Sequence, residues 1–189
     1  WPTGKEGAPD PDNKGRDVNY RERIGGGPTE LGFDTYFGDD VPGFPPHAFI
    51  ENDRMVELPT AWHDTPPGAP GAMSPGWDYT ELLPAITSRA ARYIQSQTSG
   101  EPEKPFFLYF SLTAPHTPIA PAKPFLGKSE AGRYGDFVCQ VDYSVGTVIR
   151  VLDSLKIRQH TLIIFASDNG AIPLDGENYA GEFGSLYRF

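Results

Sequence analysis

The two parts of the chain, residues 1–76 and 77–189, have different hydrophobic patterns. In the first part Gly and Pro interrupt every apolar stretch, as in Gly25-Gly26-Gly27-Pro28 and Pro66-Pro67-Gly68-Ala69-Pro70. Such runs predict turns and loops rather than long regular elements. Aromatic residues are interleaved among them, which favours ordered loops over a featureless linker. We therefore expect residues 1–76 to form loops on the substrate side of a regular core.

Two helices and two strands are predicted in residues 77–189. Apolar residues recur at three- and four-residue steps over residues 80–98 and again over 134–155, which is typical of helices with one apolar face. Gly100 is expected to end the first helix. Two continuous apolar runs, 106–112 and 161–166, predict buried strands. A strand, a helix and a strand joined by a crossover of this length should form a right-handed parallel unit, so the pattern favours an α/β fold.

Composition narrows the range of partners. The chain has 189 residues, of which 38% are hydrophobic and 13% aromatic, and its length is typical of one domain. It carries 25 acidic and 16 basic residues, for a net charge of -9. This balance offers no broad basic face, so we expect no nucleic-acid partner, and an anionic substrate would need local positive charge such as a bound cation. No apolar run has the length of a membrane span.

Polar residues follow both predicted strands. His116 lies in the segment Thr113-Ala114-Pro115-His116-Thr117-Pro118 after the first strand, and Asp168 and Asn169 come directly after the second. In open parallel sheets, ligands bind beyond the carboxyl ends of the strands. We therefore expect His116, Asp168 and Asn169 to be neighbours at one edge of the sheet.

The chemistry of these residues predicts a site for a hard cation and an anion. Asp168 and Asn169 offer oxygen donors that suit calcium or magnesium. His116 can donate to a substrate oxygen or act as an acid or base near neutral pH. Simpler interpretations remain open, because Asp-Asn-Gly is also a common turn and a histidine in a Pro-rich loop is often only a surface or packing residue.

The remaining histidines and the cysteine do not predict a second site. His47, His63 and His160 lack the spacing of a zinc site, and we treat them as structural or substrate-loop residues. Cys139, the single cysteine, lies within the second predicted helix, where a buried or flanking thiol is expected rather than a nucleophile. It excludes an intrachain disulfide, so cysteine usage does not indicate the compartment.

Five motifs of the chain, in order and in approximate spacing, resemble those of the sulfatases, a family of the alkaline-phosphatase-like superfamily. They are Pro105-Phe106-Phe107-Leu108-Tyr109-Phe110, Ala114-Pro115-His116-Thr117-Pro118, Tyr134-Gly135-Asp136, Val141-Asp142-Tyr143-Ser144-Val145-Gly146 and Phe165-Ala166-Ser167-Asp168-Asn169-Gly170. Two upstream segments, residues 27–38 and 49–54, also look like sulfatase segments. The resemblance therefore covers nearly the whole chain.

This resemblance implies an α/β fold with a mostly parallel central sheet between helices, alkaline-phosphatase-like and here incomplete. Residues 1–189 would be part of one catalytic domain. Asp168 and Asn169 are assigned to a calcium ion, with magnesium less favoured, and His116 is assigned to the sulfate group and to departure of the alcohol. In the family a formylglycine, made from Cys or Ser in a short motif with Pro and Arg, attacks sulfur. No residue is expected to bind an organic cofactor.

Several family motifs are missing from the chain, so we expect it to be an internal fragment that is inactive alone. The formylglycine motif, an early Asp pair and a Gly-Lys-Trp-His-like segment should precede Trp1, and a lysine after Asp168 should follow Phe189. The implied substrate is a small-molecule or carbohydrate sulfate ester, and the implied compartment is periplasmic, secreted or lysosomal. Two alternatives stay open: a phosphodiesterase or phosphonate monoester hydrolase of the same superfamily, and a non-catalytic binding homologue.

Overall fold

A computed structural model describes residues 15–98 and 104–170 of the chain. The chain divides into two compact units, with the boundary between Tyr79 and Thr80. The first unit contains short antiparallel strands, and the second contains the two long helices.

The first unit is built from strands of two or three residues. They are β1 Phe37–Gly38, β2 Ile50–Glu51, β3 Arg54–Met55, β4 Ala61–His63 and β5 Gly71–Met73. The first three form one antiparallel sheet in the order β1-β2-β3, and β4 pairs with β5 in another. The turn between β2 and β3 places Asn52 at a φ of 56°, a left-handed conformation that Asn tolerates better than most residues. The prediction that long elements are absent is confirmed for residues 15–76.

Ring contacts order the loops of this first unit. The ring centroids of Phe37 and Phe49 lie 5.2 Å apart, and Phe49 contacts Trp77 at 4.9 Å. Trp77 in turn lies 5.9 Å from Tyr79. Aromatic rings bury a large area each, so a few of them can fix loops that have little regular hydrogen bonding. The prediction of ordered loops is confirmed for the residues described here.

The second unit contains both predicted helices. Helix α1 spans Leu82–Thr98 and follows a short 3-10 turn at Tyr79–Glu81, and helix α2 spans Gly132–Ser154. The two helices pack on each other. The Thr87 hydroxyl of α1 lies 2.9 Å from the Ser144 hydroxyl of α2. Both helix predictions are confirmed, while Gly100, expected to end α1, lies outside the described residues.

The two segments predicted as buried strands differ from the prediction. Residues 106–112 and 161–166 are paired in no sheet of the described residues. In the first run Phe107 and Tyr109 are 74% and 71% exposed, while Phe106, Leu108, Phe110 and Leu112 are half-buried. In the second run Leu162 and Phe165 are 86% and 72% exposed. A strand needs a second strand to satisfy its backbone N–H and C=O groups, and the described residues place none beside either segment. The prediction that both segments are buried strands is therefore wrong for this structure, although alternate side chains of 106–112 are half-buried, and the sheets of the described residues are antiparallel.

Candidate functional site

His116 is an exposed residue at a bend that follows residues 106–112. Its backbone N–H donates to the Thr113 carbonyl at 3.1 Å and closes a turn. Its ring Nδ1 lies 2.6 Å from the Thr117 carbonyl oxygen. Because a carbonyl can only accept, Nδ1 carries the hydrogen and the neutral ring keeps its lone pair on Nε2. Nε2 is therefore the ring atom available to a ligand or to a proton.

The loop that carries His116 packs on a buried apolar cluster. Ala114 and Ile119, on either side of the histidine, are each only 7% exposed and pack in one cluster with Leu83 of α1 and Phe137 of α2. The apolar contacts hold both ends of the bend, while the imidazole between them is left at the surface. The helices thus determine where His116 lies.

Two buried polar residues of α2 bind the segment that follows this loop. Gln140, 2% exposed, accepts the Ala122 N–H through Oε1 at 2.8 Å. Asp136, 3% exposed, accepts the Gly127 N–H through Oδ2 and the Ser129 N–H through Oδ1, both at 2.8 Å. The Gly127 bond is the main reason that the pKa of Asp136 lies below its ordinary value.

The sequence analysis missed both of these α2 residues as contributors to the site. A signal was present, since Asp136, Gln140 and Ser144 recur every four residues and so share one line on the helix. A polar line of this kind on a helix with apolar neighbours indicates hydrogen bonding to another element. The sequence alone does not reveal which loop that element is.

Asp168 and Asn169 form a bend at the surface, and both are exposed. The Asn169 N–H donates to Asp168 Oδ1 at 2.9 Å, and the Ser167 hydroxyl donates to the Asn169 backbone oxygen at 2.6 Å. These bonds use one carboxylate oxygen and leave Asp168 Oδ2 and Asn169 Oδ1 as hard oxygen donors for a cation. The local geometry is that of the turn considered above, and it also presents the donors that calcium prefers.

The structure brings Asp168 and Asn169 together, but His116 is not bonded to either of them. Within residues 104–170 the hydrogen bonds of all three are local. The described part of the chain contains no group of three or more His, Cys, Asp or Glu residues that could hold a metal ion. Calcium takes six to eight oxygen ligands, so Asp168 and Asn169 would supply only part of its shell. Convergence of the three residues stays a prediction.

The other histidines make local contacts, two of them in the first unit. The His47 ring is 2% exposed, its Nε2–H donates to the Ala69 carbonyl at 2.8 Å, and its Nδ1 accepts from the Tyr79 hydroxyl at 2.9 Å. His63 Nε2 donates to the Pro67 carbonyl at 2.6 Å. His160 is exposed and ends a 3-10 turn. Their bonds to backbone and tyrosine groups suit the structural interpretation made from the sequence.

Comparison with known proteins gives a consistent set of relatives. The family model described as Sulfatase matches residues 24–187. The N-acetylgalactosamine-6-O-sulfatase of Bacteroides thetaiotaomicron is 33% identical over 168 residues, which cover 84% of this chain and 28% of that protein. The canine N-acetylgalactosamine-6-sulfatase is 39% identical over 54% of this chain and 19% of its own length. The human steryl-sulfatase is 40% identical over 58% of this chain and 19% of its own length.

A solved structure shows the same similarity in three dimensions. Its description names the metabolism of multiple glycosaminoglycans by Bacteroides thetaiotaomicron and ends in the label 6S-sulf. It matches with a TM-score of 0.70 and 26% sequence identity, over 85% of this chain and 40% of the solved one. The chain thus spans between about a fifth and two fifths of the length of these relatives. Among the described residues, no helix combines the length and the apolar character that a bilayer crossing requires.

Proposed function

Because the chain belongs to the sulfatase family, we propose that the full-length protein is a calcium-dependent hydrolase of a sulfate monoester. The observation that carries this proposal is the extent of the family match, which runs from residue 24 to residue 187 and includes His116, Asp168 and Asn169. All three residue types suit a site in which a cation and a tetrahedral anion meet. The whole protein is the unit of the proposal, since this chain spans 28% of its bacterial relative.

A sulfated carbohydrate is the substrate class that we favour. The relative aligned over 84% of this chain is named an N-acetylgalactosamine-6-O-sulfatase, and the solved structure is described in terms of glycosaminoglycans. A steroid sulfate is the second class, because steryl-sulfatase is also a relative over 58% of the chain. By the family resemblance we place the protein in the periplasm, in a lysosome or outside the cell.

His116 is proposed to bind the sulfate group and to protonate the leaving alcohol. Its Nδ1–H is held by the Thr117 carbonyl, so the second proton of an imidazolium would be on Nε2. As the bond between sulfur and the bridging oxygen breaks, its electron pair stays on that oxygen and the Nε2 proton completes the alcohol. General acid help of this kind is worth about 10² to 10⁴ in rate.

Asp168 Oδ2 and Asn169 Oδ1 would supply two of the ligands of the calcium ion. A bound calcium offsets the negative charge of a sulfate group, which an acidic chain would otherwise repel. The carboxylate and the amide fit calcium because both are hard oxygen donors, and both residues are exposed. The attacking group, a formylglycine by family resemblance, is proposed to come from a part of the protein outside these 189 residues.

The two apolar runs, residues 106–112 and 161–166, are proposed to be strands of a parallel central sheet in the full-length protein. Support comes from side chains such as Leu162 and Tyr109, which are 86% and 71% exposed in residues 161–166 and 106–112. Burial of these exposed apolar side chains would be favourable, and pairing with further strands would also satisfy the backbone. The carboxyl ends of both runs, and with them His116 and Asp168, would then meet at one sheet edge.

A substrate panel on the purified full-length protein tests this function. We expect hydrolysis of a 6-sulfated N-acetylgalactosamine and of an activated aryl sulfate, and we expect chelation of calcium to abolish both. Faster turnover of a phosphate diester or a phosphonate monoester would favour the second enzymatic function instead. Calcium-dependent binding of the sulfated sugar with no turnover would indicate a non-catalytic homologue. The 189-residue chain is the matched control, and turnover by it would contradict a nucleophile outside the chain.

A further inference from the structure

The buried amide of Gln140 contacts the segment that leaves the His116 loop. We propose that Gln140 is a positioning residue for His116, supported by Asp136 one helical turn earlier. This inference rests on the proposed function, because it assigns a role within the same reaction. It concerns two α2 residues that are absent from the set predicted from the sequence.

Gln140 makes a hydrogen bond to the backbone of the segment that follows the His116 loop. Pro118 and Pro121 have no backbone N–H, and of the other four residues of 117–122 only Ala122 has a backbone N–H with a partner among the described residues, namely Gln140 Oε1 at 2.8 Å. The rest of this segment is held by apolar burial, with Ile119 7% exposed. Apolar packing is non-directional, whereas a hydrogen bond to a buried side chain fixes distance and direction. Gln140 therefore fixes the backbone of this segment on α2.

The same segment is hydrogen-bonded to the imidazole of His116. The His116 Nδ1–H donates to the carbonyl oxygen of Thr117, which is the first residue of the tethered segment. The orientation of the ring, and with it the direction of Nε2, thus follows the backbone of residues 117–122. A shift of that backbone on α2 would turn the imidazole away from its place in the site.

Asp136 holds the backbone that follows this segment. Asp136 accepts the N–H groups of Gly127 and Ser129 at 2.8 Å each, and Ser129 Oγ accepts the Ala131 N–H at 3.0 Å. A Cβ on Gly135 would collide with the Ser129 side chain, so glycine is needed for this close approach. The backbone from Ala122 to the start of α2 is thus held at both ends by α2 side chains.

Ser144 provides a matched control for Gln140. It lies one turn further along α2 and is 1% exposed, but its hydroxyl bonds to the Gln140 carbonyl at 2.9 Å and lies 2.9 Å from Thr87 of α1. One of these contacts lies within α2 and the other joins α2 to α1, so neither reaches the loop. Loss of a buried hydrogen bond at Ser144 therefore lowers stability without releasing the His116 segment.

The experiment compares two sulfate esters in the full-length protein. Gln140→Met removes the acceptor oxygen and keeps the length of the side chain, whereas Gln140→Glu keeps an acceptor. A sugar sulfate has a poor leaving group that needs a proton, and an activated aryl sulfate has a phenolate that does not. For Gln140→Met we expect kcat on the sugar sulfate to fall about tenfold and kcat on the aryl sulfate to fall less than about threefold. Gln140→Glu should recover most of the loss, and Ser144→Ala should change neither kcat by more than about twofold.

Two kinds of failure are distinguishable. An inactive wild-type protein would overturn the proposed function and this inference with it. The inference alone would be overturned if the wild-type protein is active and the kcat of Gln140→Met falls equally on both esters. It would also be overturned if that kcat falls no more than the kcat of Ser144→Ala. If Gln140→Met does not fold, the same two esters are compared for Asp136→Asn. We expect its kcat on the sugar sulfate to fall more than its kcat on the aryl sulfate, by a smaller factor than for Gln140→Met. An Asp136→Asn protein with wild-type kcat on both esters would contradict the positioning role.

Discussion

The Tyr79 hydroxyl donates a hydrogen bond to His47 Nδ1 across 2.9 Å. His47 Nε2 carries the hydrogen that is donated to the Ala69 carbonyl, so both ring nitrogens are satisfied in the neutral form. Burial is the main cause of a His47 pKa below the ordinary value of 6.5, and the charge of a nearby His63 acts in the same direction. Burial also raises the pKa of Tyr79 to about 12, with a further contribution from Asp39, so this hydroxyl stays a donor.

The protonation of His47 predicts a loss of stability in mild acid. Below pH 6.5 the unfolded chain binds a proton at this ring, while the folded chain does so only at a lower pH, so the free energy of unfolding falls as pH decreases through this window. In urea unfolding, the free energy of unfolding should fall less between pH 7.5 and pH 5 for His47→Gln than for the wild type. His160→Gln, which removes an exposed histidine, should keep the wild-type fall. Identical pH dependence in wild type and His47→Gln would contradict the contribution of this ring.

The Asp136 carboxylate predicts that the free energy of unfolding also depends on pH below 3.8. The backbone N–H of Gly127 is the largest influence that lowers its pKa from 3.8, so the folded state favours the carboxylate. This stabilisation is present above pH 3.8 and is lost as pH falls through the folded-state pKa. Asp136→Asn should therefore unfold at a lower urea concentration than the wild type at pH 7, with a difference that shrinks toward pH 3. A difference that is constant from pH 7 to pH 3 would show that the charge contributes nothing.

Substitution of Leu83 should lower the free energy of unfolding, because this residue belongs to the buried cluster on which the His116 loop packs. The side chain is 1% exposed and packs with Ala114, Ile119 and Phe137. Leu83→Ala should lower the free energy of unfolding by about 3 kcal/mol, because it removes buried apolar contacts and leaves a cavity. Leu31→Ala, at a residue that is 76% exposed, should change it by less than about 0.5 kcal/mol. Equal effects of the two substitutions in urea unfolding would contradict the position of this cluster.

The proposal that Asp168 is a calcium ligand predicts the effect of its substitution on calcium affinity. Its Oδ1 accepts the Asn169 N–H and its Oδ2 is available to the metal, so Asp168→Asn replaces a charged ligand with a neutral one of the same shape. Calcium titration of the full-length protein by calorimetry should show a Kd at least about tenfold weaker for Asp168→Asn. Asp64→Asn, at an exposed acidic residue of the first unit, should leave the Kd unchanged. An Asp168→Asn protein with wild-type calcium affinity would contradict the assignment of this ligand.

The sequence predicted the parts of the fold that depend on local periodicity. Helices α1 and α2 were predicted because apolar residues repeat at helical steps over many turns, and such a signal depends little on distant contacts. The runs 106–112 and 161–166 have the composition of strands, but a strand exists only with a partner, and the described residues supply none. Neither run is a strand in this structure for that reason.

The candidate site was predictable only in its residue types. The motifs identified His116, Asp168 and Asn169, and the structure adds the Nδ1 bond of His116 that leaves Nε2 for chemistry. The contact between Gln140 and Ala122 could not be predicted, because a helical period shows that a polar residue is buried and not which loop it meets.

The sharpest measurement is kcat/KM for a sulfated N-acetylgalactosamine in the full-length protein with His116→Gln, Asp168→Asn and both substitutions together. We expect each single variant to lose about 10²-fold or more, since in the proposed site one side chain would act on the leaving oxygen and the other would hold the cation beside the same sulfate. The double variant should lose much less than the product of the two, as residues of one site do. His160→Gln and Asp64→Asn should retain wild-type values. Single variants at His116 and Asp168 that also retain wild-type kcat/KM would contradict a sulfatase site at these residues.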